Sequence, residues 1–154
     1  MKKPPEELVE LFRQIDVDEP EVWASSEFNE KDISQISRAT MLRNVADMII
    51  EHCDIDSIKR TAEDSPHGKA ALDALESNGT EWNNVAEISR QVLGNFVWNY
   101  FRMLDDMDEM PVNPAGLSWQ LTSFDEIGRQ VGSADALYES LYHMLRHVSG
   151  REDW

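Results

Sequence analysis

The strongest helical pattern in this chain lies in residues 80–107, which read TEWNNVAEISRQVLGNFVWNYFRMLDDM. Apolar side chains recur every three or four residues from Trp82 to Met107, which is the period of an α-helix. Between Val92 and Leu104 the opposite side of this helix is apolar as well. A helix that is apolar nearly all round is typical of a buried element. We therefore expect a long central helix over about residues 81–107, surrounded by other helices.

Helical spacing continues on the N-terminal side of this segment. A first helix is expected over about residues 4–15 and a second, longer one from residue 29 or 32 to about residue 53. A third helix is predicted over about residues 56–63, and a short one around residues 70–75. Residues 16–29 are predicted to form an acidic loop, because Pro20 lies inside them.

The C-terminal third begins with a long irregular segment, residues 105–121. Residues 122–126 have the spacing of a capping box and predict a short helix that ends near Gly132. Ser133 is expected to cap a last helix that stops at Gly150. No alternating apolar run and no hairpin turn is recognisable. The sequence therefore predicts an all-α bundle of five to seven helices.

Length and composition favour one domain over residues 1–154, since 154 residues leave no room for a second core. The single cysteine, Cys53, excludes a disulfide framework. The two N-terminal lysines are not followed by the apolar segment of a signal peptide, and no apolar run could span a membrane. We expect a soluble, cytoplasmic protein that makes no membrane contact.

The charge is the most unusual property of the sequence. Thirty acidic and fourteen basic side chains give a formal net charge of −16, and residues 1–64 contribute 16 acids against 8 bases. The excess is spread through the chain and is not a detachable tail. Direct nucleic-acid binding requires cationic surface and is therefore disfavoured. A basic protein partner, in contrast, would be attracted and steered by this charge.

Two acidic segments with aromatic neighbours are the predicted partner-binding surfaces. Aromatic anchors within a polar rim are typical of protein interfaces, although these tryptophans could equally be lids over the core. Acidic side chains at a helix C-terminus also oppose the helix dipole, which suggests that the later segment has a use. The candidate residues are Asp16, Asp18, Glu19, Glu21 and Trp23 in the first segment, and Asp105, Asp106, Asp108, Glu109 and Trp119 in the second.

Sequence patterns that could indicate a catalytic or metal-binding site are weaker than those of the two acidic segments. A polar stripe on the last helix contains Glu139, His143 and His147, which recur every four residues. It lies opposite the apolar stripe of that helix and therefore faces solvent or a partner. Whether it binds a metal stays an open question. Cys53 lies on an apolar stripe and is expected to be a packed thiol. Arg38 falls on the same stripe, which predicts a salt bridge or a specific polar contact. No phosphate-binding or nucleophile motif is present, so no cofactor, catalytic residue or metal ligand is predicted.

These observations favour a binding or inhibitory protein over an enzyme. Its acidic surface would dock on a basic surface of a protein partner, such as a nuclease or another nucleic-acid-binding protein. In composition and size alone, the chain resembles immunity proteins for bacterial nuclease toxins and phage-encoded mimics of DNA. A structural or adaptor subunit that oligomerises is one alternative. A magnesium-dependent helical hydrolase is another, with carboxylates such as Glu7, Glu10, Asp47 and Glu51 as metal ligands.

Overall fold

The computed structural model describes residues 2–30, 33–105, 121–134 and 137–152. Within these residues it contains seven α-helices and one two-stranded antiparallel sheet, which confirms the predicted all-α bundle. The elements are α1 (Glu6–Ile15), α2 (Pro20–Asn29), α3 (Gln35–His52), α4 (Ile55–Glu63), α5 (Pro66–Ser77), α6 (Trp82–Asp105), β1 (Leu121–Phe124), β2 (Gln130–Ala134) and α7 (Leu137–Ser149).

Helix α3 lies at the centre of the packing. It contacts α1, α2, α4, α6, α7 and β2. One side of α3 is fully buried because its apolar residues recur at helical spacing toward these neighbours. The core around it is formed by Ala39, Leu42, Ala46 and Ile49 of α3, Val9 and Phe12 of α1, Ala24 of α2, Phe101 of α6 and Leu137, Leu141, Met144 and Leu145 of α7.

Helix α6 covers Trp82–Asp105 of the predicted range 81–107, but it does not have the predicted burial. It buries Ala86 and Phe101, whereas Val92 and Phe96 on the opposite side are largely exposed. The expectation that this helix is covered on nearly all sides is therefore wrong for the described residues. The reason is that α3, α4 and α7 pack against one side of α6, while α1 and α2 pack with each other and against α3.

Residues 16–29 contain a helix, so the prediction of a loop there is wrong. Pro20 is the first residue of α2, where its missing amide costs nothing and its fixed φ suits the helix. Glu21 lies in the first turn, at the positive end of the helix dipole. The proline that looked like an interruption of a loop therefore starts a helix.

Residues 122–132 form a β-hairpin instead of the predicted short helix. Asp125 begins the turn: its Oδ1 accepts hydrogen bonds from the amides of Ile127 (3.1 Å) and Arg129 (2.9 Å). Gly128 adopts a left-handed backbone with φ 78°. Asp at the first and Gly at the fourth position is a type I turn pattern. The hairpin docks on the start of α3, where the Ser34 amide donates to the Ser133 carbonyl at 3.0 Å.

The starts of α5 and α7 also differ from the prediction. Helix α5 begins at Pro66, because the Ser65 hydroxyl caps it by accepting from the Gly68 amide at 3.0 Å. Ser133 does not cap α7, since it belongs to β2 and α7 begins at Leu137. The predicted end of the last helix is confirmed: Gly150 comes directly after it with φ 66°.

Candidate functional site

The connection between α1 and α2 is a tight turn with an acidic surface. Asp16 and Glu19 adopt left-handed backbone conformations, with φ 61° and 48°. The amides of Asp16 and Val17 donate back to the carbonyls of Arg13 and Phe12, which ends α1 and buries Val17. The acidic side chains around this turn are named the acidic corner, which comprises Glu6, Glu7, Glu10, Asp16, Asp18, Glu19 and Glu21.

Two acid–histidine pairs join the acidic corner to α7. His147 Nε2 lies 3.4 Å from Asp16 Oδ1, and His143 Nε2 contacts Asp18 Oδ2. The four-residue spacing of these histidines predicted a face turned to solvent or to a partner. That face meets the corner, although the imidazole of His143 stays more than half exposed. Glu139, the third member of the stripe, is exposed.

Arg43 of α3 also pairs with a carboxylate of the acidic corner. Its Nη1 donates to the Asp16 carboxylate, and its Nε donates to Asp47 Oδ2 at 3.0 Å. The hydrogen bond from Arg43, with a smaller contribution from His147, keeps the pKa of Asp16 below its ordinary value. Asp16 is therefore ionised at neutral pH and links three elements of the fold.

Asparagine in place of Asp16 is expected to lower the free energy of unfolding at neutral pH by about 0.2–1 kcal/mol, the range of exposed ion pairs. Because the folded-state pKa of Asp16 is lowered, its contribution is complete above the unfolded pKa of about 3.9 and is lost as pH falls through the folded pKa. Asparagine also tolerates the left-handed backbone.

The measurement for this variant is urea unfolding of wild type and Asp16→Asn at a series of pH values. The two curves should differ at neutral pH and converge at acidic pH, and added salt should reduce the difference. A difference that does not depend on pH would show that the carboxylate charge of Asp16 does not stabilise the fold.

Arg13 forms ion pairs with three carboxylates of the acidic corner. Its guanidinium lies 3.0 Å from Glu6, 3.4 Å from Glu10 and 2.8 Å from Glu21. Hydrogen bonds to these carboxylates, Glu6 foremost, raise the pKa of Arg13. A backbone amide and then Arg13 lower the pKa of Glu21. The carboxylates around Arg13 therefore outnumber this cation three to one.

The other two acidic side chains of the corner, Glu7 and Glu19, are exposed and have no cationic partner within the described part of the chain. The acidic corner therefore contains seven carboxylates. In the described residues, the side chains that pair with them are two arginines, Arg13 and Arg43, and two partly exposed histidines. Its surplus charge is negative and faces solvent.

Trp23, the predicted aromatic anchor of this segment, covers the core. Its ring centroid lies 6.1 Å from that of Phe12, and the Arg38 guanidinium lies 5.7 Å from the ring. Arg38 Nη2 also donates to Ser140 Oγ at 2.6 Å, a specific polar contact, which was one of the two alternatives predicted for this arginine. The packing favours a lid over the core, the second of the two interpretations of Trp23.

The second predicted acidic segment begins where α6 ends. Asp105 is the last residue of α6. Asp106, Asp108, Glu109 and Trp119 lie outside the described residues. Their role in partner binding therefore stays a prediction.

A surface that the sequence did not single out lies between α3 and α6. A groove of about 310 Å³ separates these helices and is lined almost wholly by apolar side chains. The sequence does contain the pattern that marks this groove, because apolar residues recur regularly along α6. That pattern was interpreted as a helix side that faces the protein core. The lining includes Met41, Val45, Met48, Leu93, Val97 and Tyr100.

No magnesium or zinc site forms in the described residues, where no three His, Cys, Asp or Glu side chains converge in a metal-binding arrangement. The carboxylate of Asp47, a ligand in the hydrolase hypothesis, is hydrogen-bonded to Arg43. Cys53 is buried as predicted, and loss of solvent contact raises the pKa of its thiol. The thiol is therefore a packed side chain.

No protein-family model matches the chain, and neither a curated protein nor a solved structure is significantly similar to it. Over the described ranges, none of the helices combines the length and the apolar character needed to cross a membrane.

Proposed function

We propose that this chain is an acidic binding protein that docks on a basic surface of a protein partner, as an inhibitor or immunity protein does. The observation that carries the proposal is the acidic corner, where exposed carboxylates outnumber their arginine partners on a chain of net charge −16. A partner that binds nucleic acid, such as a nuclease, has the cationic surface that fits.

The electrostatics of the corner support a fast, salt-dependent association. Hydrogen bonding lowers the pKa of Asp16 and of Glu21, so these two carboxylates keep their charge at and below neutral pH. Complementary charge raises association rates by about 10- to 1,000-fold, and salt screens the effect. The left-handed turn and the ion pairs to α3 and α7 hold the carboxylates in place, so that little ordering is needed on binding.

The test is affinity capture at low salt from cells that naturally express the protein, with three charge variants beside the wild type. The corner variant replaces Glu7, Glu10 and Glu19 by Gln, which leaves the acids that pair with histidines unchanged. A matched control makes the same change in charge around α5, at Glu63, Asp64 and Asp73. The third variant neutralises Asp105, Asp106, Asp108 and Glu109.

We expect wild type and the α5 control to retain one basic protein that the corner variant loses and that salt elutes. With that protein purified, the corner variant should associate at least about 10-fold more slowly. If only the third variant failed to retain the basic protein, the contact would lie at residues 105–109 and not at the acidic corner. Equal retention by all the variants, or capture of no basic protein, would contradict the proposal.

A further inference from the structure

Helix α6 carries an apolar stripe that the other described elements of the chain leave exposed. Ile88, Val92, Phe96, Tyr100 and Met103 each expose between 38% and 66% of their surface. Their spacing of three or four residues places them on one side of the helix, over about 22 Å at 1.5 Å per residue. Large exposed apolar patches on soluble domains mark interaction sites.

We propose that this stripe is the interface of a symmetric homodimer, in which α6 of one protomer packs against α6 of a second copy. The proposal is independent of the acidic corner, which lies on α1 and α2. The apolar period of α6 predicts burial on this side, the described residues of the protomer leave it exposed, and the second copy would cover it.

The charge distribution favours a second copy as the occupant. Residues 91–101 read QVLGNFVWNYF and contain no charged side chain, in a chain that is 29% charged. A basic partner would find no carboxylate there to pair with, and its cations would lose hydration without compensation. Two copies of net charge −16 can approach only where like charges are not opposed. The uncharged side of α6 meets that condition.

The area of the stripe is close to what a stable dimer needs. Taking a large side chain as about 200 Å², the stripe and the neighbouring Met48 of α3, 57% exposed, offer roughly 650 Å² per protomer. A standard interface buries about 800 Å² per partner. The asparagines beside the stripe, Asn95 and Asn99, are exposed and supply the polar rim.

The stripe is also compatible with two-fold symmetry. A two-fold axis across α6 pairs the helices antiparallel, and each residue then meets one at equal distance on the other side of the axis. The stripe runs from Ile88 to Met103, so Phe96 lies next to its midpoint. An axis there brings the two Phe96 rings together and places Val92 opposite Tyr100, so apolar side chains meet apolar side chains in the middle of the stripe.

The experiment measures molar mass by light scattering over a wide range of concentration for wild type, Val92→Asp and the control Val22→Asp. Val22 is the matched control, because it is a valine on a helix with 59% exposure against 64% for Val92. Wild type and Val22→Asp should approach twice 17.7 kDa. Val92→Asp should raise the dimer dissociation constant about 100-fold or more, because each new carboxylate would be buried against an apolar face.

Circular dichroism checks that both variants keep the helical fold, as their exposure predicts. A wild type that stays monomeric at every concentration would overturn the proposal and leave the stripe to a different partner. Dimers that persist in Val92→Asp would place the interface elsewhere and also overturn it. Val92→Asp leaves the acidic corner intact, so its capture of a basic protein tests the proposed function separately.

Discussion

Replacing Ile49 by alanine is expected to lower the free energy of unfolding by about 2–5 kcal/mol, whereas the same change at Ile88 should alter it by less than about 0.5 kcal/mol. Ile49 of α3 is 2% exposed and Ile88 of α6 is 64% exposed. The first substitution removes buried methyl groups and leaves a cavity, while the second removes atoms that already contact water. Comparison of the two variants tests whether α3 or α6 is the central helix.

Urea unfolding followed by circular dichroism gives both free energies. The measurement is made at high dilution, because a dimer through α6 would couple the stability of the Ile88 variant to concentration. Since the two variants delete the same atoms from the same residue type, their difference reports burial alone. Similar losses at the two positions, or a larger loss at Ile88, would show that α6 is enclosed within the protomer and α3 is not the hub.

The difference between the expected and the observed burial of α6 has a physical cause. An apolar period records that a helix side avoids water, but it does not record which molecule covers it. In the protomer, Phe101 faces the core while Val92 and Phe96 face solvent. A core stripe and an interface stripe have the same spacing, so the sequence could predict that α6 is long and apolar but not how its two sides are used.

The helices of the N-terminal half show what local patterns can and cannot establish. Apolar spacing located α1, α3 and α4 to within a few residues. Pro20 was interpreted as part of a loop, and Pro66 lies outside the helix predicted around residues 70–75, although each proline occupies the first turn of a helix. Proline is favoured at that position and excluded only from the helix interior, so the same residue supports two opposite interpretations. Only the packing of the residues C-terminal to the proline decides between them.

The acidic corner was predictable in composition but not in connectivity. Its carboxylates were apparent in the sequence, and so was the histidine pair of α7. The contact between Asp16 and His147 joins residues 131 positions apart. Such a pair depends on how α7 packs against α3, which no local spacing specifies. The structure therefore divides the predicted site into acids that hold the fold together and acids, such as Glu19, that face solvent.

Replacing Gly132 by alanine is expected to lower the free energy of unfolding by about 1–3 kcal/mol, the range of overpacked interiors. A methyl group at this position would lie 2.7 Å from Ser34 Cβ and 3.3 Å from the Ser34 amide nitrogen. That amide donates to the Ser133 carbonyl, so the strain falls on the bond that docks the hairpin on α3. A glycine here is required by close approach, not by a left-handed backbone.

A double-mutant cycle with Ser34→Gly identifies the cause of that loss, because glycine removes the Cβ atom that the new methyl group meets. Ser34 caps α3, and its replacement by glycine alone should cost about 1 kcal/mol or less. In that background Gly132→Ala should cost at least about 1 kcal/mol less than in wild type. Hydrogen exchange at the Ser34 amide reports whether the hairpin has detached. Additive losses with an unchanged Ser34 amide would refute the close approach, because they would mean that the hairpin does not rest on the first turn of α3.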